Sequence, residues 1–258
     1  MNKSLEGGLA NSAKILFLDI ETAPNIAFVW GLWEQNIHHN QVVASSYILC
    51  WSAKWSGRGA MYFDSVLHHS HPQMLKRIHS LLDEADIIVH YNGLKFDIPT
   101  LNKEFVKHGF LPPAPYKQID MLGVCRNAFR FESNKLASVV KSLDLKRKIE
   151  DHGFQLWVDC MDRKPDAWVK MERYNRNDVV ILEQLYKRLL PWIKQHPTVR
   201  YDLNKLVCPK CGSGKTQRRG EAMTRVGSFH RHQCLACGGW FRGSKRAQKF
   251  RGEQGVNL

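Results

Sequence analysis

The stretch Lys14-Ile15-Leu16-Phe17-Leu18-Asp19-Ile20-Glu21-Thr22 is a short apolar run that ends in two acids spaced two apart. The run predicts a β-strand. Side chains alternate along a strand, so Asp19 and Glu21 point the same way. Two carboxylates side by side repel each other unless a cation lies between them. Acids often decorate a solvated strand end, which is the plain reading. A divalent-metal site is the sharper one.

Outward from this strand, residues 46–55 and 59–64 read as two further strands joined by a Gly-containing turn. Residues 72–84 open with Pro72 and place Met74, Ile78, Leu81 and Leu82 at helical spacing. A strand over 86–91 leads into an Asn92-Gly93 turn and a helix from about Pro99 to His108. A short strand at 117–120 precedes helical stretches around 121–130 and 135–143, and a last helix runs from about Pro165 to Gln195. Strands come first and then alternate with helices, which predicts an α/β domain: a mixed sheet with helices packed on it.

The last helix carries an anomaly. Met171, Tyr174, Asp178, Leu182, Leu185 and Leu189 fall on one stripe, otherwise its apolar face. Asp178 therefore points toward the core. A lone buried carboxylate costs several kcal/mol or takes up a proton. A metal ion or a paired Lys or Arg removes that penalty. Tyr174 lies one turn earlier on the same face, within reach of the same point. A third segment, Tyr91-Asn92-Gly93-Leu94-Lys95-Phe96-Asp97-Ile98-Pro99, has a plain reading in which Asp97 caps a helix with Pro in its first turn.

Taken in order, Asp19-x-Glu21, Asn92-x-x-x-Phe96-Asp97 and Tyr174-x-x-x-Asp178 resemble the Exo I, Exo II and Exo III motifs of DEDD-type 3′–5′ exonucleases. These belong to the ribonuclease H-like superfamily and include polymerase proofreading domains. Tyr174, four residues before the last acid, resembles the DEDDy subclass; where the DEDDh subclass has His, this chain has Arg173. Phe28 to Trp55 is further similar to stand-alone, phage-encoded exonucleases of this superfamily. The resemblance implies a two-metal phosphodiester hydrolase. Asp19, Glu21, Asp97 and Asp178 would hold two Mg²⁺ or Mn²⁺ ions ~3.5–4 Å apart, and Tyr174 would orient the attacking water. Asn92 has two readings, a contact to the terminal nucleotide and a turn residue. So has Asp120, an outer acid of the site or a strand-end cap. Phe28, Trp30 and Trp33 read either as core or as a wedge that stacks terminal bases.

The C-terminal fifth differs in kind. The net charge of the chain is +14; residues 205–258 hold 12 Lys+Arg against 2 Asp+Glu, leaving 26 against 22 for residues 1–204. So basic a chain points to a polyanionic partner, with nucleic acid as the default. The resemblance to exonucleases implies DNA ahead of RNA as substrate, and replication or repair proteins as associates. Cys208-x-x-Cys211 and Cys234-x-x-Cys237 frame a gap of 22 residues and offer four thiolates to one structural Zn²⁺. Lys210, Lys215, Arg218, Arg219, Arg225, Arg231 and Arg242, interleaved with Phe229, His230 and Trp240, would form the nucleic-acid surface. Trp240-Phe241-Arg242 would cover the unit's small core. The expected organisation is a ribonuclease H-like exonuclease domain at 1–196, a linker at 197–205, a zinc ribbon at 206–242 and a basic flexible tail at 243–258.

Composition excludes a mainly disordered chain, since 43% of residues are hydrophobic and 24% charged. No run of 18 apolar residues predicts a membrane span, and the first residues lack the apolar core of a signal peptide. Cytoplasm is the expected compartment, the host's if the chain is phage-encoded; there Cys-x-x-Cys pairs read as metal ligands. Two rival readings stand beside the exonuclease: a structure-specific endonuclease of the same superfamily, and a binding factor without catalysis.

Overall fold

The computed structural model describes residues 12–145, 153–202 and 204–247. They fall into two compact units, one over Lys14–Lys187 and one comprising chiefly the residues from Arg188 onward. The tail beyond residue 247 lies outside the described residues.

The first unit is built on a five-stranded mixed sheet, as the α/β reading expects. Its strands are β1 (Ile15–Thr22), β4 (Ile48–Trp55), β5 (Met61–Ser65), β6 (Ile87–His90) and β7 (Lys117–Asp120), in the order β5-β4-β1-β6-β7. β1 runs antiparallel to β4 and parallel to β6. Strands β2 (Ile26–Ala27) and β3 (Val42–Ala44) make a separate two-stranded ribbon between β1 and β4.

Helices cover both faces of the main sheet. On one face, α1 (His71–Glu84) and α2 (Asp97–Lys107) pack Met74, Leu75, Ile78, Leu101 and Phe105 against Leu16, Leu18 and Ile20 of β1. Ser70 opens α1 by donating its backbone N–H to Gln73 Oε1 at 3.1 Å, which satisfies one orphan group at the helix start. On the other face, α5 (Gln155–Met161) and α6 (Pro165–Leu189) pack Leu156, Cys160, Trp168 and Met171 against Leu49 and Cys50 of β4. Short helices α3 (Met121–Ala128) and α4 (Leu136–Ser142) follow β7 in the chain. β1 is central and covered on both sides, which is why its sequence is a continuous apolar run rather than an alternating one.

Two helix boundaries and one whole helix differ from expectation. Helix α2 begins at Asp97, two residues before Pro99. Helix α6 ends at Leu189, not Gln195, because Pro191 cannot continue it and the chain tightens into a 3-10 turn over Leu190–Trp192. Helix α5 had no sequence expectation; it is a single short stretch without a long periodic pattern.

In the second unit, β8 (Thr216–Thr224), β9 (Gly227–Cys234) and β10 (Trp240–Arg246) form an antiparallel sheet in the order β10-β9-β8. β10 continues four residues past the expected end of the ribbon at Arg242. Among the described residues no helix is long and apolar enough to cross a membrane.

Candidate active site

Alternation along β1 decides what meets α6. Leu16, Leu18 and Ile20 go to the α1/α2 side, which leaves Phe17, Asp19 and Glu21 on the other. The Phe17 ring meets Tyr186 of α6 edge-on at 5.3 Å. Two residues further along, Asn175 Nδ2 donates to Asp19 Oδ2 at 2.7 Å. Asp178, three residues past Asn175, presents a carboxylate to the same place. Carboxylate oxygens of Asp19, Glu21 and Asp178 all lie within 4.8 Å of one another.

Asp97 enters from the other direction. It is not a cap that precedes the helix, as the plain reading had it, but the first residue of α2; its Oδ1 accepts the backbone N–H of Ile20 at 3.2 Å. That bond fastens the start of α2 to the strand between Asp19 and Glu21. The turn before it is tightly built. Asn92 adopts a left-handed φ of 67° and donates its backbone N–H to Asp120 Oδ1 at 2.9 Å. Gly93 donates to His90 Nδ1 at 3.0 Å, and a Cβ on Gly93 would stand 2.4 Å from the His90 ring, so only glycine fits. Asp120 also caps α3 through the N–H of Leu122 at 2.9 Å. The backbone of Asn92 is thus held in a turn, and Asp120 both caps α3 and clamps that turn.

The electrostatics of the four acids are unfavourable as they stand. Two full charges 4.8 Å apart repel by roughly 3 kcal/mol at an effective dielectric near 20, and this cluster holds three such pairs. Burial, then Glu21, Asp97 and Asp178, drive Asp19 well above the ordinary carboxylate range, against the bond from Asn175. Burial pushes Glu21 up to about 8 although the Trp157 indole donates to it. Burial likewise pushes Asp97 and Asp178 to about 7. Tyr174 donates its hydroxyl to Asp178, and burial together with the three acids pushes its own pKa up as well. Asp178 Oδ1 is buried and has no hydrogen-bond partner. An all-oxygen donor set with an orphaned carboxylate oxygen fits a hard divalent cation.

Two contributors escaped the sequence reading. Asn175 is fully buried and holds Asp19. Its signal was present: Met171, Asn175, Asp178 and Leu182 follow helical spacing, so a second polar residue shared the apolar face. Trp157 donates its indole N–H to Glu21 Oε2 at 3.0 Å, and its ring meets Tyr174 edge-on at 5.8 Å. It sits on α5, which no pattern announced.

Residues 53–190, more than half of the chain, match the RNase H superfamily. The chain belongs to this superfamily. The matched span holds Asp97, Tyr174 and Asp178 but begins after β1. The fold is also similar to that of the family B DNA polymerase from the hyperthermophilic archaeon Pyrobaculum calidifontis. The TM-score is 0.54 and the identity 16%, over 72% of this chain and 26% of the polymerase. The chain therefore spans about a quarter of that protein's length. No curated protein matches it. The mixed sheet order and the two helical layers of this RNase H superfamily member are those described above.

Next to the acids, the segment after β1 departs from its core reading. Phe28, Trp30, Leu32 and Trp33 are 77%, 99%, 86% and 84% exposed. They occupy the long connection between β2 and β3 and face solvent.

In the second unit the four predicted cysteines converge. Cys208 Sγ lies 3.7 Å from Cys237 Sγ, and Cys211 Sγ 3.6 Å from Cys234 Sγ. A disulfide would bring sulfurs to ~2.05 Å. Tetrahedral ligands ~2.3 Å from one ion stand about 3.8 Å apart, close to the observed spacing. Gly212 and Gly238 close the two turns at φ 73° and 76°. One face of the sheet carries alternating arginines and aromatics. The Arg231 guanidinium lies 5.4 Å over Trp240, and Arg242 lies 4.4 Å over Phe229. Lys215, Arg218 and Arg219 are exposed on or beside β8. Lys210 does not belong to this surface: it is buried and donates to the Pro191 carbonyl at 2.7 Å. Trp240 is 46% exposed, so Phe229, not Trp240, supplies the buried ring.

Proposed function

We propose that the chain is a metal-dependent 3′–5′ exonuclease acting on nucleic-acid 3′ ends, with DNA ahead of RNA. The observation that carries this reading is the convergence of Asp19, Glu21 and Asp178, with one Asp178 oxygen left unsatisfied, in a superfamily member whose fold is shared by a DNA polymerase. Asp19, Glu21, Asp97 and Asp178 would hold two Mg²⁺ or Mn²⁺ ions. When bound, such ions activate a water and neutralise charge on the phosphate.

The chain's own groups do the positioning. Asn175 and Trp157 fix the Asp19 and Glu21 carboxylates by donating to one oxygen of each, leaving the others to face the centre. Tyr174, with its pKa raised, keeps its proton at neutral pH and acts as an orienter of the attacking water rather than as a base. The bond from Ile20 to Asp97 keeps the second segment in register with the first. The exposed rings of Phe28, Trp30 and Trp33 are suited to stack the terminal bases. In the second unit the four thiolates would hold one structural Zn²⁺. The Arg–aromatic face, with Lys215, Arg218 and Arg219, would hold the phosphate backbone without reading sequence.

An end-labelled single-stranded oligonucleotide and a closed circle, each incubated with Mg²⁺ or Mn²⁺, test the reading. Stepwise shortening of the linear strand with the circle left intact is expected. Efficient cutting of the circle would replace the exonuclease with an endonuclease.

A further inference from the structure

A third group of metal-ligating side chains shares no residue with the other two and lies where the start of α1 meets the end of α2. Glu104 and His108 are four residues apart, and the His108 N–H bonds to the Glu104 carbonyl at 3.1 Å, so helical pitch stacks the two side chains. His71, the first residue of α1, faces them: its Nδ1 lies 3.2 Å from His108 Nε2, with the rings nearly perpendicular. Ligand atoms of all three fall within 4.8 Å of one another.

Glu104 is only 2% exposed, and its Oε1 makes no hydrogen bond. The Lys103 ammonium stands 2.8 Å from that oxygen without hydrogen-bond geometry, on a side chain that is 43% exposed and also donates to the Ser46 carbonyl. The Tyr47 ring meets His71 edge-on at 6.0 Å. Two nitrogens 3.2 Å apart, each ~2.05 Å from one ion, subtend about 100°, near the tetrahedral angle.

We propose that His71, Glu104 and His108 form a transition-metal site of the zinc class, separate from the carboxylate and thiolate clusters. Two imidazoles and one carboxylate suit Zn²⁺ or its transition-metal neighbours rather than Mg²⁺ or Ca²⁺. Three protein ligands leave the fourth position to water, and His108 is exposed, so the ion exchanges with solvent. Without the ion, Lys103 neutralises Glu104; the ion and the ammonium compete for one carboxylate. The bound metal ties the N-terminus of α1 to the C-terminus of α2.

The test uses the full chain titrated with Zn²⁺ and followed by native mass spectrometry, with Co²⁺ absorption as a second readout. Wild type should carry one ion more than His108→Ala and His71→Ala at equal free Zn²⁺. Reading the difference cancels any ions at the other two clusters. The extra Co²⁺ equivalent should show visible bands without thiolate charge transfer. Lys103→Met should tighten that equivalent by roughly two- to fivefold, the worth of an ion pair whose cation is solvent-exposed. Equal stoichiometry in wild type and both His variants would overturn the site, and an unchanged affinity in Lys103→Met would remove Glu104 from it.

Discussion

Two buried acids of helix α6 lie five residues apart and live in opposite surroundings. Glu183 is 3% exposed and Asp178 8%. Glu183 bonds to Lys54 and, at 2.6 Å, to Lys187. Burial pushes its pKa up, but the bonds from Lys187 and Lys54 outweigh burial and hold it below the ordinary range. Asp178 faces Asp19 and Glu21, has one oxygen without a partner, and is pushed to about 7. Burial alone does not mark a site, since both acids are buried. What separates them is whether the protein supplies the cation. At Glu183 it does, and the result is a structural ion pair. At Asp178 it supplies more acids, and the missing positive charge is the feature that points to metal chemistry.

The contrast breaks or holds in a double dissociation. Asp178→Asn and Asp19→Asn should reduce metal-dependent hydrolysis by at least about a thousandfold, given that the metal supplies several kcal/mol of transition-state stabilisation. Both variants should keep the wild-type melting temperature or exceed it, because a repelled buried charge is gone. Glu183→Gln should do the reverse, with rates within about twofold of wild type and a melt several degrees lower, since removing one partner of a buried pair costs roughly 2–3 kcal/mol. If Glu183→Gln loses activity while Asp178→Asn keeps it, the two acids have been assigned the wrong way round.

Trp157→Phe and Asn175→Ala sharpen the same comparison one layer out. Each should lower activity or metal affinity by roughly tenfold, the usual effect of removing a group that orients a metal ligand. Mn²⁺ titrations of activity would detect the loss as a rightward shift.

The smallest effect is in pH. Glu21, Asp97 and Asp178 have folded pKa values raised to about 8, 7 and 7. Their folded form therefore holds protons that the unfolded chain gives up near 4, and their contribution to stability falls as pH rises from about 4 to 8. Glu183 has the opposite sign: its contribution is present above the ordinary glutamate value and is lost as pH falls through its depressed pKa. Added Mn²⁺ should accordingly raise the melting temperature by a few degrees at pH 8 and by almost nothing at pH 5. A shift of equal size at both pH values would disconnect the ion from these acids.

Much of this was legible in particular residues. The run from Ile15 to Glu21 ends an apolar strand in two acids, and the stripe holding Tyr174 and Asp178 sets one acid in an apolar period; such conflicts stand out in a single sequence. Asp97 was harder, because an acid at a helix start has an ordinary explanation; only the fold shows that it is tied to the first strand, through Ile20, 77 residues away. Trp157 was invisible, since its helix is about two turns long and its role depends on packing rather than period. Phe28 to Trp33 misled the core reading, because large aromatics are usually buried and nothing local says that these are not. Lys210 misled in the opposite direction: a lysine in a basic segment reads as surface until its carbonyl partner is seen.

The most direct test of the central claim is a digestion of 3′-labelled single-stranded DNA by the purified full chain with Mn²⁺ or Mg²⁺, run beside Asp178→Asn at equal concentration. Wild type should release labelled mononucleotide, with release abolished by chelation and absent in Asp178→Asn. Silence of the wild type with both metals, or equal release by the variant, would contradict that claim.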